Sequence, residues 1–303
     1  EKERAGTLNS YFSNELISIE SDFSALPSVL QNIDLLITPD TSVKHLADLT
    51  STPTLEVSLG ESPFLKQGSI GTKSLIMTLG PSLRTFQKTD LSENSKINGS
   101  DLFLAATQIL NIENHSAPIS FSDEVLIYRP MSLDGGTYYM PTMGHINTVF
   151  ELRRFFSRTI IERNYFNKFN KNAFGKMISV FNREEIRQFI SSEQEIITRV
   201  TKDLLSTLRS LVQLQENQNN SSAFVNSLEK LLSHAFQTNL GAVSILDFRA
   251  RLEAITSTDL KSNLKETESL LYQLKTQLKN TLTILQSASE DHLKPTQNLE
   301  QRL

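Results

Sequence analysis

"DLLITPDTSVKHLA", Asp34–Ala47, reads as a short apolar run that stops at Pro39, a turn of Asp40, Thr41 and Ser42, and a helix that opens directly behind it. Proline ends the strand because it has no N–H for a sheet ladder, and Asp, Thr and Ser are the side chains that meet open N–H groups at a helix start. A strand that hands over to a helix in this way belongs to a βαβ unit, whose crossover makes successive strands parallel. The same grammar extends on both sides. "LISIE" at 16–20, "TLEVSL" at 54–59 and "SLIMTL" at 74–79 are further strand candidates, and "FSALPSVLQNI", "SVKHLADLT" and "GSDLFLAATQILNI" carry apolar residues at helical spacing. The alternation predicts an α/β domain over residues 1–118 with a parallel, Rossmann-like sheet covered by helices on both faces. Residues 119–144 read as a linker and a β-hairpin, in which two short runs flank Asp134-Gly135-Gly136.

From residue 145 to 303 the strand signals stop, and the fold class becomes all-α: a long-helix bundle or helical hairpin. Within "REEIRQFISSEQEIITRVTKDLLSTLRSLVQLQ", Ile186, Phe189, Ile190, Ile197, Val200, Leu204, Leu208 and Leu211 form one apolar stripe, which "NQNNSS" ends. Shorter helices are expected near 222–236 and 241–254, and a last long one begins at Ser257 or Thr258. Its Leu260, Leu264, Leu271, Leu274, Leu278 and Leu285 leave a seam close to a 3.5-residue repeat. That seam fits antiparallel packing on the other long helix, or a homo-oligomer built through the long helices.

Composition excludes several classes of chemistry. The chain of 303 residues has no cysteine, hence no disulfide, thiolate nucleophile or cysteine-bound zinc. A net charge of -4 argues against bulk nucleic-acid binding, and no apolar run reaches the roughly 20 residues of a membrane span. The five histidines are scattered with no paired-ligand spacing, so no metal is expected. "GTKS" at 71–74 is the tail of a phosphate-loop pattern without its first glycine, and no Gly-x-Ser-x-Gly nucleophile elbow occurs. The opening "EKERAGTLNSYFS", which begins on glutamate, reads as a chain cut from something longer.

The strand–turn–helix at Asp40 places N–H groups and the positive end of a helix dipole at the carboxyl edge of the sheet, where open α/β sheets bind ligands. An anion there would meet the first-turn N–H groups, the Thr41 and Ser42 hydroxyls, and His45 from the same face. The Asp40 carboxylate would repel a phosphate, which suits it to capping the helix or accepting a sugar hydroxyl. As a purely structural reading, the same residues make a well-capped helix start.

The block "DLLITPDTSVKHLADLTSTPTLEVSLGESP" resembles the nucleotide-sugar domain of glycosyltransferase family 9, the heptosyltransferases of bacterial lipopolysaccharide assembly. These enzymes show a strand, Asp-Thr/Ser-Gly-x-x-His-x-Ala, then Thr-Pro-Thr and a second strand; "EKERA" at the start is similar to their Glu-x-x-Arg-Ala helix. The resemblance covers residues 1 to 113 and implies the C-terminal, donor-binding half of a two-domain GT-B enzyme. By that resemblance Asp40, Thr41, Ser42 and His45 face the diphosphate and sugar of the donor, Glu1 meets the ribose, and the backbone around Ser21 lines the base. Ser42 stands where the family carries glycine, and the catalytic base belongs on a first domain that this chain lacks. The implied activity is metal-independent sugar transfer from a nucleotide-diphosphate donor, with no cofactor, to a cell-envelope glycan or lipid-linked acceptor, in the cytoplasm or at the inner face of the inner membrane. The alternative expectation is a non-catalytic scaffold or oligomerisation protein built on a degenerate transferase domain.

The segment 145–177 holds seven Lys/Arg against two Glu, interleaved with Phe150, Phe155, Phe156, Tyr165, Phe166, Phe169 and Phe174. It reads either as a peripheral membrane contact or as a core-packing helix pair with a solvated basic face.

Overall fold

The computed structural model describes residues 21–59, 64–79, 97–112, 120–133, 136–144, 146–217 and 221–293. The strand and helix expected at 16–20 and 1–13, and the turn residues Asp134 and Gly135, lie outside them. The described residues fall into two units that part between Ile146 and Asn147.

The first unit is built on a five-stranded mixed sheet in the order β1 (Leu36–Pro39), β2 (Thr54–Val57), β3 (Ser74–Leu79), β4 (Val125–Leu133), β5 (Gly136–Gly144). β1, β2 and β3 are parallel, as the βαβ grammar requires. The expectation of a wholly parallel sheet with a separate hairpin is corrected at β4. The hairpin pairs antiparallel onto the free edge of β3 and completes the sheet, because β3 is buried along its whole length and needs a neighbour for its N–H and C=O groups.

Helices cover both faces. On one, Leu55, Leu75, Met77, Val125 and Ile127 pack with Ala105 of α4 (Gly99–Ile109). On the other, register aligns Thr38 with Glu56, Glu56 with Ile76 and Ile76 with Tyr128. Over this row lie α2 (Ser42–Thr50) and the short α3 (Phe64–Gln67), with α1 (Leu26–Gln31) against α2. Phe64 sets its ring 4.6 Å from that of Tyr128 and 5.3 Å from that of Tyr139, whose hydroxyl donates to the carbonyl of Gly68 at 3.0 Å.

α4 starts on a capping box. The Asn98 side chain accepts from the N–H of Asp101, and Asp101 in turn accepts from the N–H groups of Asn98 and Ser122. One helix start thereby anchors the entry to β4. Asn98→Ala should lower the stability of this unit by about 1 kcal/mol, read from the midpoint of urea denaturation.

The second unit is helical: α5 (Thr148–Phe166), α6 (Lys171–Ile178), α7 (Arg183–Glu216), α8 (Ser221–Ser233) with a 3-10 turn at His234–Phe236, α9 (Ala242–Glu253) and α10 (Leu260–Leu293). Asparagines 147, 170 and 182 cap the first three. The start of the last helix shifts by one or two residues from expectation. Asp259, not Ser257 or Thr258, accepts the N–H groups of Lys261 and Ser262, while the Ser257 hydroxyl accepts the N–H of Asp259.

The leucine seam of α10 is buried within the chain. Leu271, Leu274 and Leu278 interdigitate with Ile197, Val200, Leu204, Leu208 and Leu211 of α7. Gln215 at the end of α7 donates to Glu268 near the start of α10, so the two run antiparallel. Leu260, the first residue of the expected seam, is 54% exposed and lies beyond this core. The aromatics of 145–177 divide: Phe155, Phe156 and Phe174 are buried, whereas Phe166 is 65% exposed. No helix among the described residues is long and apolar enough to cross a membrane.

Candidate functional site

The site lies at the carboxyl edge of β1, where the chain turns into α2. Thr41, extended in backbone, is the N-cap, but its hydroxyl lies 3.1 Å from that of Thr38 and makes no capping bond. The first-turn N–H groups of Ser42 and Val43 are therefore left as helix starts leave them, facing outward with no side chain closing them among the described residues. Thr41, Ser42 and His45 are all exposed on this turn. Ser42 is not among the positive-φ residues, so its backbone makes no demand for glycine.

Asp40 does not cap the helix. Its carboxylate is held by Lys44 one helical turn on, and its second oxygen accepts from Gln67 of α3 at 3.1 Å. Burial pushes this carboxyl up, but hydrogen bonds from Lys44 and Gln67 and the charges of Lys44 and His45 outweigh it and leave the pKa below the ordinary aspartate value.

Lys44 is itself fully buried. Its Nζ also lies 2.9 Å from Oε1 of Glu56, a strand residue with no exposed side-chain surface, and the other Glu56 oxygen accepts the N–H of Ser69 at 2.7 Å. Burial raises the Glu56 carboxyl above the usual glutamate value, and the Ser69 and Lys44 hydrogen bonds offset only part of the rise.

A third carboxylate, on α2, continues the clamp. Asp48 accepts from the N–H groups of Ile70 and Gly71 at 2.8 and 2.9 Å and from the Ser69 hydroxyl. A Cβ at Gly71 would stand 2.7 Å from the Asp48 oxygen, so a larger residue there would push the Asp48 carboxylate aside. Thus three carboxylates and Lys44 tie α2, β2 and the 67–71 loop into one rigid floor beneath the exposed turn. "GTKS" at 71–74 leads into β3, the reverse of a phosphate loop, which leaves a strand and enters a helix.

Of the residues proposed from sequence, Asp40, Thr41, Ser42 and His45 share this one turn. Ser21 is exposed ahead of α1, and Glu1 lies outside the described residues. Sequence reading missed Lys44, Glu56, Gln67 and Asp48. Two signals were present: a lysine four residues after Asp40, and a glutamate inside an otherwise apolar strand.

On the open side of the turn stand the first-turn N–H groups, the Ser42 hydroxyl and the His45 imidazole, while the Asp40 carboxylate is held by Lys44, which it shares with Glu56, and by Gln67. Among the described residues no group of three or more acidic or histidine side chains is gathered to hold a metal ion. No protein-family model, curated protein or solved structure matches the chain.

Proposed function

We propose that the α/β unit is the donor-binding half of a family-9-like glycosyltransferase of GT-B architecture. It holds the diphosphate of a nucleotide sugar for transfer to a cell-envelope glycan or lipid-linked acceptor without a metal ion. The observation that carries this reading is the Lys44–Asp40 pair. It offsets part of the repulsion that Asp40 would present to a phosphate at the Asp40–Ser42 turn while leaving the helix N–H groups and His45 open. In this role the first-turn N–H groups and His45 stabilise the departing diphosphate, the task a cation performs elsewhere.

A second reading, a transferase domain retained as a scaffold, draws on the same contacts. Asp40 and Thr41 spend their side chains on Lys44, Gln67 and Thr38, as a purely structural turn would. Calorimetric titration of nucleoside diphosphates and nucleotide-diphosphate sugars separates the two. Donor binding predicts saturable heat that His45→Ala weakens about tenfold, equivalent to about 1.4 kcal/mol. No heat from any diphosphate with the intact parent protein supports the scaffold.

A further inference from the structure

In the helical unit, an open groove of about 530 Å³ lies between α5, α9 and α10. Its size falls within the range of about 300–1,000 Å³ common to small-molecule sites. Among the described residues its lining holds no Asp, Glu or Lys. The one charged lining residue is Arg251, whose Nε faces Asp247 at 3.3 Å and whose Nη1 donates to Gln273 at 2.9 Å. On the floor, Asn280 donates to Asn164 at 2.9 Å, and the Nδ2 of Asn164 is buried with no acceptor. The Tyr165 hydroxyl bonds to Asp247 and Gln277; burial and the Asp247 charge push this phenol up, so it stays neutral. Tyr272 is half exposed, with the Lys275 ammonium 5.8 Å from the centroid of its ring.

Such a lining discriminates by chemistry. An anion finds the Arg251 guanidinium already engaged with Asp247 and Gln273, and a cation finds the nearby Asp247 carboxylate already bonded to Arg251 and Tyr165. An apolar guest would cover the remaining amide donors and acceptors of Gln273, Gln277 and Asn280 with nothing to satisfy them. What fits is an uncharged molecule with many closely spaced hydroxyls, each able to donate and accept, and with a flat C–H face to lie on an aromatic ring. We propose that this groove binds a neutral oligosaccharide, one sugar lying on Tyr272 and its hydroxyls met by Gln273, Gln277 and Asn280. The inference rests on the helical unit alone and does not require the donor reading.

The test is saturation-transfer NMR and calorimetry on the intact chain. The probes are uncharged oligosaccharides of glucose, galactose, mannose and N-acetylglucosamine, together with short uncharged peptides. At least one oligosaccharide should bind saturably at millimolar concentration or below. Tyr272→Ala and Gln273→Ala, both at exposed positions of α10, should each weaken it about tenfold with an unchanged melting temperature. The proposal is overturned if no oligosaccharide saturates, if peptides bind and sugars do not, or if the two variants bind as well as the parent. Because the diphosphate titration uses different ligands and His45→Ala, either proposal can fail without the other.

Discussion

Glu56→Ala should destabilise the α/β unit by about 3 kcal/mol, the low end of the cost of breaking a buried ion pair, because Lys44 keeps Asp40. Lys44 has no exposed side-chain surface and reaches two carboxylates, Asp40 and Glu56. Alanine removes the inner one, leaves Ser69 N–H without its acceptor and opens space beneath α2. The double variant Lys44→Met, Glu56→Leu should recover most of the loss, since a hydrophobic pair of similar volume has neither charge to desolvate. Double-mutant analysis of denaturation midpoints checks both statements; additive losses in the double variant would sink this account of the pair.

Glu56→Gln isolates the pH dependence. Burial holds the folded carboxyl above 4.5, so the folded chain keeps a proton where the unfolded chain has lost it. That contribution is complete below about pH 4.5 and is lost as pH rises through the higher folded value. Asp40 works in the opposite sense. Its folded pKa lies below 3.8, so its contribution is present above that value and is lost as pH falls through the folded one. The glutamine variant removes the first effect and keeps the second. Parent stability should therefore decline relative to the variant as pH rises above about 4.5, and parallel curves would contradict the assignment.

The strand–turn–helix at Asp34–Ala47 was legible because its boundaries are chemical. Pro39 closes the strand, Thr41 takes the N-cap position in extended backbone, and α2 spans Ser42–Thr50 as the apolar spacing predicts. The clamp beneath it was not, because Lys44 and Glu56 are 12 residues apart and meet only once β1 and β2 pair in register. Taken alone, a lysine on an amphipathic helix reads as solvated, and only the fold makes it the most deeply buried cation of the site. The attachment of the hairpin was hidden for a similar reason. Nothing local to 125–144 says which edge it will join; the free edge of β3 decides. In the helical unit the long stripes were legible from spacing alone. The α10 seam is buried by the apolar stripe of α7, the antiparallel partner its spacing suggests.

Phe156→Ala should cost the helical unit about 3–5 kcal/mol, the range for emptying a fully buried aromatic site. The ring is 0% exposed and packs edge-on to Phe174 at 4.9 Å and against Phe189 at 5.4 Å, which joins α5, α6 and α7 at one point. Neighbouring Phe155 is equally buried and lies 6.0 Å from Phe181. The basic residues of this segment are in part neutralised locally, with Arg154 on Glu151 and Arg158 on Glu162. The two readings of 145–177 therefore separate on a stability measurement. If its aromatics served a lipid surface, Phe156→Ala would leave the melting temperature in water unchanged and Phe166→Ala, on a 65% exposed ring, would behave alike. With Phe156 as the common contact of three helices, thermal denaturation should show a large loss for Phe156→Ala and almost none for Phe166→Ala. Flotation with anionic vesicles then reads any membrane affinity from Phe166→Ala alone, free of unfolding.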